Sequence, residues 1–82
     1  MMKVKIKSQI DFEGYTNGNQ TDWHVEPILE DSPNETEEPF IWIRFVDDAT
    51  GTEIVDIQAD ELERIVRASR VAAKMEQAIL KI

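Results

Sequence analysis

Phe40-Ile41-Trp42-Ile43-Arg44-Phe45-Val46-Asp47-Asp48-Ala49-Thr50-Gly51-Thr52-Glu53-Ile54-Val55-Asp56-Ile57 reads as a β-hairpin, and the rest of the chain arranges itself around it. Residues 40–46 are apolar on both faces apart from Arg44 and rich in the aromatic and β-branched types that strands favour, which predicts the most buried strand of the fold. Asp47 to Gly51 is a short hairpin loop with Gly51 in the left-handed position, and residues 52–57 return.

Downstream, Gln58 to Ile82 contains no Gly or Pro, with Asp60 and Glu61 early and bases increasing afterwards, which predicts a helix over 59–81. Placed at 100° per residue, its apolar side chains sweep more than half the circumference, while Glu63, Arg67, Arg70, Lys74, Gln77 and Lys81 form one polar stripe. A sheet covers only one side of a helix. The surplus, concentrated in residues 72–82, predicts self-association as a homodimer through Val71, Ala72, Met75, Ile79 and Ile82.

Upstream, residues 3–12 alternate, with Val4, Ile6, Ile10 and Phe12 opposite Lys3, Lys5, Lys7, Gln9 and Asp11, a period of two that marks a half-buried strand. Asn17-Gly18 supplies a tight reversal, and a second strand is predicted over 21–29, with Trp23, Val25 and Leu29 on one face. Pro27 places that strand at an edge or interrupts it. Residues 30–39 hold two prolines and five acids and read as a solvated, mobile acidic loop.

The whole is one α+β domain over residues 1–82, a four-stranded, mainly antiparallel sheet followed by one long C-terminal helix packed on one face. Its expected core is Val4, Ile6, Ile10, Ile41, Ile43, Phe45, Ile54, Leu62, Ile65 and Val66. A domain of this size buries only about 60% of its unfolded surface, a second reason to expect a dimer.

Charge separates along the chain. Residues 1–7 carry three lysines and no acid, residues 8–57 carry thirteen acids against Arg44 alone, and residues 58–82 are nearly balanced, within a net charge of −8. The acidic middle repels phosphate backbones and attracts basic surfaces.

Catalysis, cofactors and metals find no support in these residues. With no cysteine and a single histidine, a transition-metal site would rest on carboxylates. His24 falls opposite Trp23 and Val25 in the alternation and is expected to face solvent. The spacing from Asp47 to Glu53 does not fit a calcium loop, and the three glycines are too dispersed for a phosphate loop. The start of the chain lacks the apolar run of a signal peptide, and no segment approaches a membrane span, so a cytoplasmic protein is expected.

Several strands followed by a long C-terminal helix is an order that resembles the transcriptional positive-cofactor family of single-strand DNA binders, and the likeness implies single-strand binding. It is one of topology alone, and the acidic middle departs from a DNA-binding sheet. Residues 46–57 are similar to a strand-turn-strand of small flagellar accessory proteins of the FlaG type.

The expected function is therefore that of a non-enzymatic protein-binding module, an acidic inhibitor or nucleic-acid mimic of the kind made by viruses and mobile elements, occupying a basic surface of its target. Trp23, Phe40 and Trp42 would supply the apolar contact, rimmed by Glu35, Glu37, Glu38, Asp47 and Asp48. Two alternatives stand beside it. One is a single-strand nucleic-acid binder using Lys3, Lys5, Lys7 and the helix stripe, and the other is an assembly subunit that only oligomerises.

Overall fold

A computed structural model describes residues 8–30 and 39–80, together with the backbone of 3–5. The order is β1 (Lys3–Lys5), β2 (Ile10–Asp11), β3 (Tyr15–Thr16), β4 (Asn19–Gln20), β5 (Trp23–Glu30), β6 (Phe40–Asp47), β7 (Thr52–Gln58) and α1 (Ala59–Leu80). The fold is α+β, an antiparallel sheet of four strand positions followed by a C-terminal helix that packs against β6 and β7. Both β1 and β2 pair with β5 and together fill one edge, so the sheet runs from that edge through β5 and β6 to β7.

On one side of β5, Ile28 to Glu30 pair with β1 and His24 to Val25 with β2. On the other side β5 pairs with β6 along its full length, so Pro27, expected at an edge or an interruption, lies in an interior strand.

Between β2 and β5 the chain makes a separate two-stranded ribbon, β3 with β4, turning at Asn17 and Gly18, both at positive φ. Its base is closed by the Thr21 amide, which donates to the Gly14 carbonyl at 2.8 Å. Gly51 takes φ 71° in the β6–β7 turn, where its amide donates to the Asp47 carbonyl and the Ala49 amide donates to the Asp47 carboxylate.

The register gives the sheet two unlike sides. One carries the rows Val25–Phe45–Val55 and Pro27–Ile43–Ile57, and is apolar; Phe12 adds an edge-to-face ring contact on Phe45 at 5.5 Å. The other carries Ile28–Trp42–Gln58, Glu26–Arg44–Asp56 and His24–Val46–Glu53, and is charged at its centre. The charged side is the better covered.

This overturns much of the core expected from the sequence. Among the described residues the buried hydrophobic side chains are Ile28, 2% exposed, and Val46, whereas Ile10, Ile41, Ile54, Ile65 and Val66 are exposed. Ile43, Phe45 and Leu62 are half-buried; the Val4 side chain and Ile6 lie outside the described residues. The reason is the helix. Among the described residues α1 touches only β6 and β7 and has no buried residue, so it leaves much of the sheet without helical cover. The radius of gyration is 16.5 Å, against about 12 Å for a compact chain of this length, in line with a helix that projects.

Candidate interaction surface

Two ion clusters organise the charged side. His24, expected in solvent, is 4% exposed, and Glu26 is 6% exposed. The expectation failed because the apolar alternation of β5 correctly groups Trp23, Val25 and Leu29 but does not say which side of the sheet is covered. Glu26 follows His24 on the same side of the same strand, and Asp48 follows Val46, the cross-strand partner of His24, by the same two residues. Pleat parity thus places one carboxylate at each ring nitrogen. His24 Nε2 donates to Glu26 Oε1 at 2.9 Å, and Nδ1 donates to Asp48 Oδ1. Both nitrogens donate only in the imidazolium, and the hydrogen bonds to Glu26 and then Asp48 raise the His24 pKa. With both nitrogens committed, the ring offers no lone pair to a proton or a metal.

The second cluster depends on a β-bulge. Phe45 pairs with Val55 but Val46 pairs with Glu53, so Ile54 is the extra residue in β7. Without it Glu53 and Asp56, three residues apart, would point to opposite sides. The bulge brings both to Arg44. Its Nε and Nη2 donate to the two carboxylate oxygens of Asp56 at 2.9 and 3.0 Å, and Nη1 donates to Glu53 at 3.0 Å. Asp56 hydrogen bonding raises the Arg44 pKa further above its ordinary value. The same bulge explains why Ile54 stands in solvent.

The described residues among those singled out as partner-binding lie on both sides of the sheet. Trp23 and Asp47 are cross-strand partners on the apolar side, and both are half-buried. Phe40 and Trp42 belong to the charged side, Phe40 exposed and Trp42 half-buried. Asp48 is exposed as a residue, yet its carboxylate is engaged by His24, and its amide donates to the Asp22 carbonyl at 2.8 Å. Glu35, Glu37 and Glu38 lie outside the described residues. Alternation carried the Phe40–Trp42 grouping correctly, but Trp23 belongs to the opposite side.

On α1 the expected self-association residues Val71, Ala72, Met75 and Ile79 are all exposed, Met75 at 64% and Ile79 at 62%; Ile82 lies outside the described residues. Beside them runs a shallow trough of about 560 Å³ lined by Leu62, Val66 and Val71 with the cations Arg67, Arg70 and Lys74 and the acid Glu63. Lys81 of the helix stripe and Lys7 of the first strand lie outside the described residues, as do the side chains of Lys3 and Lys5.

His24, Glu26, Arg44, Glu53 and Asp56 were missed as a group by sequence reasoning. A signal was present: Arg44 is the sole Lys or Arg between residues 8 and 57, and a lone cation in an acidic hairpin has carboxylates as cross-strand neighbours. Among the described residues no cluster of His, Asp and Glu converges on a point that could hold a metal, and no helix is long and apolar enough to cross a membrane. No family model matches the chain, and neither a curated protein nor a solved structure matches it.

Proposed function

We propose that the protein is a non-enzymatic, cytoplasmic binding module that presents its acidic sheet half to a basic, nucleic-acid-binding surface of another protein and inhibits that protein by occupying the surface. One observation carries the reading. The cations of residues 8–57 are His24 and Arg44, and both are committed internally, to Glu26 and Asp48 and to Asp56 and Glu53. Nothing cationic in that segment then offsets its other acids, among them Asp11, Glu13 and Asp22, which bear on any surface that approaches.

The acids of residues 31–38 extend the same field along the sequence. An acidic surface that competes with nucleic acid needs no catalytic group and no enclosed pocket. It works through long-range attraction and like-charge exclusion of the true ligand.

The test begins with capture of host proteins on the immobilised chain and proceeds to calorimetric titration of the purified partner. Affinity is expected to fall steeply as salt rises from about 50 to about 300 mM, and to drop about tenfold or more for the pair Glu37→Lys and Glu38→Lys. Single-stranded nucleic acid should displace the partner's bound module. Affinity indifferent to both salt and charge reversal would remove the proposal, and so would tight binding of labelled single strands by this chain itself, which would assign the trough of Arg67, Arg70 and Lys74 as the working surface.

A further inference from the structure

We infer that α1 pairs with α1 of a second copy, antiparallel, along the seam Ile65, Ala68, Ala72, Met75 and Ile79. These five follow one another at intervals of 3, 4, 3 and 4 residues, the spacing that keeps side chains on a helix–helix contact line, and all five are exposed. The half-buried residues of α1 are Ala59 and Leu62, at its root, so the seam is free of the chain's own sheet.

The extent of the surface suits a second helix. α1 has 22 residues and is about 33 Å long, and an apolar sector about 200° wide on a cylinder about 11 Å across presents roughly 600 Å² per copy. Stable pairs bury about 800 Å² per partner, so the helix alone supplies most of a standard interface, and a micromolar dimer is expected. Alanines at 68 and 72 permit close approach at the centre. With Ala68 facing Ala72 of the second copy, Ile65 faces its Met75.

Charge selects the direction. A parallel pair would set two sheet segments bearing thirteen acids each side by side. The antiparallel pair moves them to opposite ends of a helix about 33 Å long, separated by several Debye lengths of about 8 Å, while the basic stretch from Arg64 to Lys74 lies beside its counterpart in either direction. Helix dipoles oppose as well, and the arrangement closes as a two-fold dimer.

The test uses the full chain alone, so its outcome is independent of the partner proposed above. Sedimentation velocity from about 1 to about 200 μM should show a reversible monomer–dimer equilibrium. Ala72→Glu, which retains high helix propensity, should raise the dissociation constant by about tenfold or more while leaving the sheet signal in circular dichroism intact; Gln77→Glu, on the polar stripe, should not. The natural chain has no cysteine, so direction is read by oxidation. Mixed Ile65→Cys and Met75→Cys proteins should form the hetero-disulfide in preference to a Met75→Cys homodimer. A monomer throughout that range, Ala72→Glu dimerising like wild type, or a dominant disulfide between two copies of Met75→Cys would overturn the inference.

Discussion

His24 is the residue on which the charged side of the sheet turns. Its two carboxylate partners raise its pKa in the folded chain, while in the unfolded chain the ring titrates near its ordinary value of about 6.5. A folded-state pKa above the unfolded one contributes stability that is complete below about pH 6.5 and is lost as pH rises through the folded value. The urea midpoint is therefore expected to be higher at about pH 6 than at about pH 9, and His24→Gln should flatten that difference. A midpoint in wild type that rises between those values would show that the imidazolium does not hold Glu26 and Asp48 together. Arg44 makes no such contribution to pH dependence in this window, because a guanidinium stays charged throughout.

At the scale of elements, the β6–β7 hairpin is defined by two irregularities with different tasks. The bulge at Ile54 aims Glu53 and Asp56 at one guanidinium, and Gly51 lets the chain reverse tightly enough to begin β7 in register. No atom lies within 4 Å of a methyl group placed on Gly51, so substitution there meets no steric obstacle beyond the backbone itself. Gly51→Ala should then cost about 1 kcal/mol, the penalty of a side chain at φ 71°, measured by chemical denaturation. A loss near zero would mean that the turn relaxes to another type. Gly14 presents the reverse case, since its φ is ordinary but an added methyl would sit 3.0 Å from the Phe12 ring, which packs edge-on against Phe45.

The whole molecule is set by a shortage of cover. Among the described residues, one side of the sheet is apolar and partly open, the helix touches only the last two strands, and the most exposed large side chain, Leu80, lies at the end of α1. If a second copy supplies the missing cover, folding and association are linked by mass action. The melting temperature should then rise with protein concentration, by several degrees between about 5 and about 200 μM for a domain this small, and Ala72→Glu should lower the melting temperature at every concentration in that range. Scanning calorimetry at several concentrations is the check. Concentration-independent melting in wild type would leave the apolar surface without this role.

Sequence reasoning reached the order of strands and helix, the reversal at Asn17-Gly18 and the left-handed Gly51, because alternation, helical periodicity and turn chemistry are local. It also grouped the residues of β5 and β6 by side correctly, since the pleat of an unbulged strand has period two. Which side would be covered was beyond its reach, and with that the burial of His24, the exposure of Ile41 and Ile65, and the separation of Trp23 from Trp42. Those are decided by register across non-adjacent strands, by a one-residue bulge that reverses parity, and by where a helix leaves a sheet. Each depends on contacts between residues distant in the chain, which composition and spacing constrain only weakly.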